Sequence, residues 1–364
     1  MTSQQNPVQT FLLCYLFFYV TYGHDQCKSI STNKNKCCRD GNNLICQNIL
    51  PLNNSDAGKN ISNADTLLHL ELIDVRIGNE ITLAFDNLAN LTNMILNYNK
   101  VLDGRGDIQD FFDNHLPMLK EIDLGYSNIE SIYPNKFKHL YEVQRLSISH
   151  NIIKELKNNA FFPFASLEIL ELQCNEIATI EAGAFNGLDN LRHLNLEWNK
   201  IAIMEISVLD VLPNLITLHL DHNRINNILK DDLKYLAGLI KINLAENEIK
   251  EISQESFQNL VDVVDICLNE NSISRLDQNM FHDLPELKYL DLSFNKIGTD
   301  FISSSVFQNL TSIEILNLEN NQIRDLKTIS FRDLINLQIL CLRNNLVSKI
   351  PPYTFQDLRK LQKL

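Results

Sequence analysis

Leucine and isoleucine recur along this chain in an arrangement that returns about every two dozen residues. The stretch 191–201 reads LRHLNLEWNKI, and successive units are 24 residues long except for one of 28 residues and one of 26. A constant period of this length predicts a solenoid, in which each unit is one coil stacked on the next. Besides Leu191, the pattern L-x-x-L-x-L-x-x-N-x-I begins at Leu67, Leu91, Leu119, Val143, Leu167, Leu215, Leu239, Val263, Leu287, Ile313, Leu337 and, cut short, Leu361.

Two kinds of spacing within a unit predict two kinds of structure. Leu194 and Leu196 alternate with polar residues, and this period of two predicts a short strand with its leucines on one side. The second half of a unit spaces its apolar residues irregularly, as Ile177, Ile180 and Phe185 do, which favours a loop or a short 3₁₀ turn over a long helix. We therefore expect one strand per coil and an irregular return segment.

An asparagine interrupts the apolar pattern at its ninth position in ten of the twelve complete units. The chain has to turn after each strand, and the buried backbone groups of that bend need hydrogen-bond partners. An amide has donors and an acceptor, so it can bond the bends of its own coil and the next one. Val75 and Ser127 are the exceptions. The predicted ladder contains Asn99, Asn151, Asn175, Asn199, Asn223, Asn247, Asn271, Asn295, Asn321 and Asn345.

These twelve register-matched units resemble the extracellular leucine-rich repeat proteins of the 24-residue type, such as Toll-like receptor ectodomains, Slit-like proteins and small matrix proteoglycans. The resemblance covers residues 67–364. It implies an α/β solenoid, curved as a horseshoe, with parallel strands on the concave face and an irregular or 3₁₀ convex side. It also implies binding of a macromolecular ligand, without specifying which one.

The first residues predict export. Residues 11–20 read FLLCYLFFYV, an uncharged apolar run followed by small and polar residues, which is typical of a cleavable signal peptide. Ten apolar residues are too few to span a bilayer, and no later segment is long and apolar enough to do so. We divide the chain into a signal peptide, 1–23, an N-terminal cysteine-rich cap, 24–66, and the solenoid, 67–364, with twelve complete units and a truncated thirteenth.

Four cysteines follow the signal peptide directly and resemble the N-terminal cysteine cap of this family. Since neighbouring Cys37 and Cys38 rarely bond each other, Cys27 pairs with one of them and Cys46 with the other, and both arrangements stay open. Three further cysteines, Cys174, Cys267 and Cys341, are predicted to be small half-buried residues. In an exported chain, sequons predict glycosylation at Asn53, Asn60, Asn90 and Asn309.

The C-terminal end departs from the family pattern. Such arrays normally finish with a second cysteine-rich cap, whereas this sequence stops at Leu364 within a thirteenth unit. An uncapped end exposes core leucines and strand-edge hydrogen-bonding groups. We expect either a truncated gene model, an isoform or a fragment, with an anchor or a signalling domain as candidates for the missing part, or end-to-end dimerisation through Leu361 and Leu364. The expected location is extracellular, secreted or at the cell surface.

The predicted concave face is acidic. Counting from the first leucine of a unit, positions 3, 5, 7 and 8 face outward from the strands and hold twelve acids against three bases, Arg145, Lys241 and Arg343. With a net charge of −13, this face should attract an extracellular protein with a basic surface and repel nucleic acid and anionic lipid. The alternative is a solubilising face without a partner. The acids are Glu71, Asp74, Glu121, Asp123, Glu171, Glu197, Asp221, Glu246, Asp265, Glu270, Asp291 and Glu319.

Position 8 carries rings in half of the units: Tyr98, Tyr126, His150, Trp198, His222 and Phe294. Exposed rings on a rigid surface are frequent hot spots for binding protein, although they could also simply cover the strand ends. The predicted ligand-binding residues are Tyr126, Glu171, Glu197, Trp198, His219, Asp221, His222 and Glu246. Five polar residues on two neighbouring strands could form a metal-binding or pH-sensitive patch: His193, Glu197, His219, Asp221 and His222. A solvated polar cluster is the simpler interpretation, so we predict neither a metal nor a cofactor.

The sequence contains no nucleophile elbow, zinc-protease motif, phosphate loop or dinucleotide motif, which argues against an enzyme. Two binding functions remain. The first is recognition of a protein ligand on the acidic concave face, in innate-immune or developmental signalling. The second is a matrix or adhesion role through glycosylated flanks and an integrin-type tripeptide, Arg105, Gly106 and Asp107, in the extra length of the 28-residue unit, where a plain turn is the alternative.

Overall fold

The computed structural model describes residues 28–30, 36–47, 66–74, 76–77, 88–101, 112, 116–203, 208–277, 280–298, 306–327 and 329–364. One sheet of fifteen strands runs through them, with one short strand per repeat unit. Along the sheet the strands are Lys28–Ile30, Lys36–Asp40, Asn43–Gln47, His69–Ile73, Asn93–Ile95, Glu121–Asp123, Arg145–Ser147, Ile169–Glu171, His193–Asn195, Thr217–His219, Lys241–Asn243, Asp265–Cys267, Tyr289–Asp291, Ile315–Asn317 and Ile339–Cys341.

The first three strands pair antiparallel, and from the third strand onward every pairing in the sheet is parallel. Register places Cys37 opposite Cys46, but the side chains of the cap cysteines lie outside the described residues, as does all of Cys27. The disulfides therefore stay a prediction. The signal peptide, the sequons at Asn53 and Asn60, and the Arg105–Gly106–Asp107 tripeptide also lie outside the described residues.

Each coil lies in register with its neighbours because the period is constant. Leu194 pairs with Leu170 on one side and with Leu218 on the other, so equivalent residues of consecutive units are direct neighbours. All three leucines are fully buried, and the residues that flank each leucine within its strand face away from the core. The predicted solenoid of parallel strands is confirmed.

Outside this sheet the described parts of the units contain turns, a 3₁₀ helix at Pro134–Lys136 and three two-stranded ribbons. The ribbons pair Arg76–Ile77 with Lys100–Val101, Glu155–Leu156 with Thr179–Ile180, and Asn227–Ile228 with Glu251–Ile252. An irregular or 3₁₀ side opposite the strands was the prediction, and it is confirmed.

Phenylalanines form a second packing feature on that irregular side, which we call the phenylalanine spine. It consists of Phe137, Phe161, Phe185, Phe257, Phe281, Phe331 and Phe355 at position 19 of their units, together with Phe307 in the 26-residue unit. Rings of consecutive units stack, with centroids 6.0 Å apart for Phe161 and Phe185 and 5.7 Å apart for Phe257 and Phe281. Two units have the buried residues Leu209 and Leu233 in this place.

The asparagines form the predicted ladder along the inner bends, which we call the asparagine spine. Nδ2 of Asn199 donates to the carbonyl oxygens of Leu196 in its own unit (3.0 Å) and Leu172 in the unit before (3.0 Å), while its Oδ1 accepts from the backbone N–H of Ile177 (3.0 Å). The inter-coil bonds reach back to the preceding coil, so the expectation of bonds to the next coil had the wrong direction.

Every described asparagine of the spine repeats the donor bond to the unit before it. At the exception in the third unit, the hydroxyl oxygen of Ser127 lies within hydrogen-bond distance of the carbonyl oxygens of Leu96 (3.0 Å) and Gly125 (3.1 Å). A hydroxyl has only one proton to give, so serine replaces part of the amide's function. Val75 lies outside the described residues.

Candidate functional site

The bend after each strand contains a residue in the left-handed backbone region. Position 8 of all twelve complete units has φ between 50° and 59°, and none of these residues is glycine. This conformation is unfavourable for side chains with a Cβ atom. It persists because the spine fixes the bend: Nδ2 of Asn199 also bonds the carbonyl oxygen of Glu197 (3.2 Å), and the N–H of Trp198 donates to Asp221 in the following unit (3.0 Å). This feature was not predicted from the sequence, because a positive φ is usual only for glycine and cannot be inferred from other residue types.

The repeated bend aligns the position-8 rings of consecutive units. Tyr126 stacks between Tyr98 (ring centroids 4.3 Å apart) and His150 (4.1 Å), and Trp198 stacks on His222 (3.8 Å). Trp198 is nevertheless half exposed, at 50% of its surface. The rings therefore stack on one another and still present aromatic surface, and their role in binding stays a prediction.

Beside the second stack, the strands line a trough with a volume of about 540 Å³ that extends from Arg145 to Asp291. Six of the eight predicted binding residues line it: Glu171, Glu197, His219, Asp221, His222 and Glu246. The remaining two, Tyr126 and Trp198, belong to the ring stacks. Residues that the sequence places on four separate strands and bends thus come together on one surface.

Burial sets the charge state of the trough. It lowers the pKa of His219 to about 4, and it also lowers the pKa of His193 and His222. These histidines therefore add no positive charge at neutral pH. Among the lining bases, Nη2 of Arg145 lies 2.9 Å from both carboxylate oxygens of Glu171, which leaves the trough acidic on balance.

The predicted acids differ in how far a partner could reach them. Asp291 is buried and accepts hydrogen bonds from the Tyr289 hydroxyl (2.8 Å), from the N–H and hydroxyl of Ser293, and from Nδ2 of Asn317 (3.1 Å). It therefore stabilises the strands rather than offering a free surface charge. By contrast, Glu197 and Glu246 are only partly buried and Glu270 is exposed. The acidic surface is smaller than the sequence count predicted, because Asp291 at position 5 and Asp221 at position 7 are buried.

The predicted five-residue polar patch divides into two groups. Glu197, Asp221 and His222 bring one potential ligand atom each to within 4.8 Å of one another. His193 instead bonds Thr217 through Nδ1 (2.8 Å), and Nδ1 of His219 is 3.9 Å from Oδ1 of Asp221. Sequence distance could not make this division, since all five residues occupy neighbouring strands.

Other predicted sites have ordinary surroundings. Cys174 and Cys341 are half-buried thiols whose pKa is raised by burial, and Cys267 is buried, as expected for small residues at the core edge. Asn90 and Asn309 have exposed side chains, which suits glycosylation but does not test it. No helix in the part of the chain that the structure describes could cross a membrane.

The family profile "Leucine rich repeat" matches residues 141–201, 213–266, 241–297, 263–323 and 311–364, together more than half of the sequence. The chain belongs to the leucine-rich repeat family. Among curated proteins, none is similar enough in sequence to match. The family assignment and the in-register strands agree on the same architecture.

Solved leucine-rich repeat structures share this fold. A chain of the Toll–Spatzle complex of Drosophila superimposes with a TM-score of 0.66 and 20% identity, covering 79% of this chain and 42% of that one. A chain of the TLR13–ssRNA13 complex gives 0.65 and 23%, covering 85% and 51%. A chain of the octameric complex of Latrophilin 3, Unc5D and FLRT2 gives 0.62 and 26%, covering 71% and 76%. This chain thus spans 42% of the first of these chains and 51% of the second.

Proposed function

We propose that this leucine-rich repeat protein is an extracellular, non-enzymatic binding module that recognises a protein ligand with a basic surface. The observation that carries the proposal is the trough between Arg145 and Asp291, where partly buried carboxylates line the sheet beside the exposed ring of Trp198. Carboxylates would steer a basic partner and orient it, while the ring would supply apolar contact area. Innate-immune or developmental signalling is the setting we propose.

The surrounding geometry supports a preorganised surface. Strands hold the trough on one side, and the asparagine spine holds its bends, so few side chains need to be ordered when a partner binds. Binding energy is then not consumed by loop ordering. An open sheet face of this kind suits a macromolecule better than an enclosed small molecule.

A protein ligand fits better than a nucleic acid. The Toll–Spatzle and FLRT2 structures contain protein partners, whereas the TLR13 structure contains single-stranded RNA. The phosphate backbone needs neutralising cations. In the trough the bases are Arg145, which is engaged by Glu171, and Lys241, facing a larger number of acids. We therefore propose that nucleic acid is excluded.

The experiment is a binding screen of the purified protein against an array of secreted proteins and ectodomains, with a 20-nucleotide single-stranded RNA and heparin as further probes. Trp198→Ala and Glu197→Gln should each weaken binding of a true partner by about tenfold or more, since interface hot spots contribute about 2 kcal/mol. Tyr235→Ala is the matched control, because Tyr235 is equally exposed (51%) but lies outside the trough.

Raising the salt concentration should weaken a steered, charge-dependent complex chiefly through a slower association rate. Two results would overturn the proposal. One is a set of partners whose affinity ignores both trough substitutions, and the other is tight binding of the RNA or of heparin.

A further inference from the structure

Glu197, Asp221 and His222 bring three metal-ligating side chains together at the edge of the trough. Glu197 and Asp221 occupy position 7 of consecutive units, and His222 follows at position 8. One ligand atom from each lies within 4.8 Å of the other two. The atoms that bind one zinc ion at about 2.0–2.2 Å lie about 3–4 Å apart, so the three side chains need to approach one another by only about 1 Å to bind one ion.

We propose that Glu197, Asp221 and His222 form a binding site for a divalent transition-metal ion of the zinc class. One imidazole and two carboxylates make a donor set that suits Zn²⁺ and is too nitrogen-rich for a typical calcium or magnesium site. Three protein ligands leave a fourth coordination position open towards the trough. This site does not depend on the partner proposed above.

The backbone that carries the three ligands is fixed in place. The carbonyl of Asp221 accepts from the Trp198 N–H (3.0 Å), and Nδ2 of Asn223 donates to the same carbonyl (3.2 Å). Asp221 itself is buried, with 6% of its surface exposed. A rigid scaffold holds ligands near their binding geometry, and only the outermost ligand has to adjust.

The imidazole of His222 is also oriented by its neighbours. Its Nδ1 lies 2.9 Å from Oε2 of Glu246, and its ring stacks on Trp198. A carboxylate on one ring nitrogen is the usual outer partner of a metal-binding histidine, because it fixes the tautomer and leaves the other nitrogen for the ion. Glu246 therefore acts as a positioning residue for the imidazole ring of His222.

The site has a built-in reporter, because Trp198 is the single tryptophan of the chain and its ring contacts His222. A paramagnetic ion bound by His222 would quench the fluorescence of Trp198, and diamagnetic Zn²⁺ would displace that ion and restore it. The experiment titrates metal-stripped protein with Co²⁺ and then with Zn²⁺. We expect saturable quenching at one ion per chain, reversed by Zn²⁺.

Substitutions assign the ligands. Glu197→Gln and Asp221→Asn should each weaken Co²⁺ binding by at least tenfold, and His222→Gln should abolish it. Glu319→Gln is the matched control, since Glu319 occupies position 7 as Glu197 does but lies five units farther along the chain. Circular dichroism checks that each variant is folded, and calorimetric titration with Zn²⁺ gives an independent stoichiometry.

Three results would overturn the proposal. Quenching that does not saturate would indicate collisions with the exposed ring. An unchanged titration in the folded Glu197→Gln and Asp221→Asn variants would show that the ion binds elsewhere. An equal loss in Glu319→Gln would show that only the general negative charge attracts it.

Discussion

The inner bends and the outer returns of this solenoid are both stacked ladders, but they tolerate change differently. The asparagine spine makes directed hydrogen bonds to fixed backbone atoms, and at one of its two exceptions the Ser127 hydroxyl still lies within hydrogen-bond distance of two backbone carbonyls. The phenylalanine spine makes apolar contacts, and at its two exceptions a buried leucine takes the place of phenylalanine. Hydrogen bonds require particular donors and acceptors at particular distances, whereas apolar packing requires about the right volume. We therefore expect the polar side of a coil to tolerate fewer substitutions, and this side also carries the candidate site.

The comparison is tested most severely by Asn199→Leu. Leucine keeps the volume but leaves the Ile177 N–H without its acceptor. It also removes one of the two amide donors from each of the Leu172 and Leu196 carbonyls, and together these changes should lower the free energy of unfolding by about 2–4 kcal/mol. Urea unfolding measures this loss, and hydrogen exchange should show the Ile177 amide opening first. Asn269→Leu, at a half-buried trough position, is the control and should change stability much less. Equal losses of stability in both variants would show that an asparagine of the spine contributes no more to stability than a half-buried asparagine outside it.

Acid should destabilise the inner side through His219. Burial lowers the pKa of this imidazole to about 4, against 6.5 in an unfolded chain, so the unfolded state binds the extra proton between these values. The stabilising contribution is complete above pH 6.5 and declines by about 2–3 kcal/mol as the pH falls towards 4. His219→Asn should flatten that part of the stability profile, measured with a chelator present. A variant profile parallel to the native one would contradict the assignment.

On the outer side, Phe185→Leu should be mild. Leu209 and Leu233 already occupy the equivalent position in the next two units, so the loss should be about 1–1.5 kcal/mol. Thermal unfolding followed by circular dichroism provides the measurement. A loss as large as that of Asn199→Leu would mean that ring stacking, rather than volume, sets the outer side.

The smallest expected effect concerns the backbone strain at the left-handed residue of each bend. Glu270 is exposed and has φ of 55°, so Glu270→Gly should relieve backbone strain and raise the free energy of unfolding by about 0.5 kcal/mol. Asn269→Gly, one residue earlier and without a positive φ, should instead lower it by up to about 1 kcal/mol. Urea midpoints of the two variants should therefore shift in opposite directions, and shifts in the same direction would show that the left-handed bend stores no strain.

Much of this architecture was predictable from residue spacing. The 24-residue spacing between Leu194 and Leu218 predicted that they lie on neighbouring strands. The position of Asn199 in the repeat predicted a buried amide that forms hydrogen bonds with the backbone. The candidate site was only partly predictable: the surface that includes Glu197, Trp198 and His222 was expected, but not the burial of Asp291. The stacking of Trp198 on His222 was not expected either. Ring orientation depends on the positive backbone φ at position 8, and the residue types there do not predict that angle.

By itself, the amino-acid sequence determined the repeat, the register, the buried faces and the position of the asparagine spine, because these depend on a period that every coil must share to stack. Only the tertiary structure decided that the spine bonds the preceding coil, that position 8 is left-handed, and that Glu197, Asp221 and His222 converge while His193 does not. The physical reason is that periodicity specifies which residues are neighbours across coils. The direction of each side chain is set by the bend, whose geometry emerges only when adjacent coils exchange hydrogen bonds.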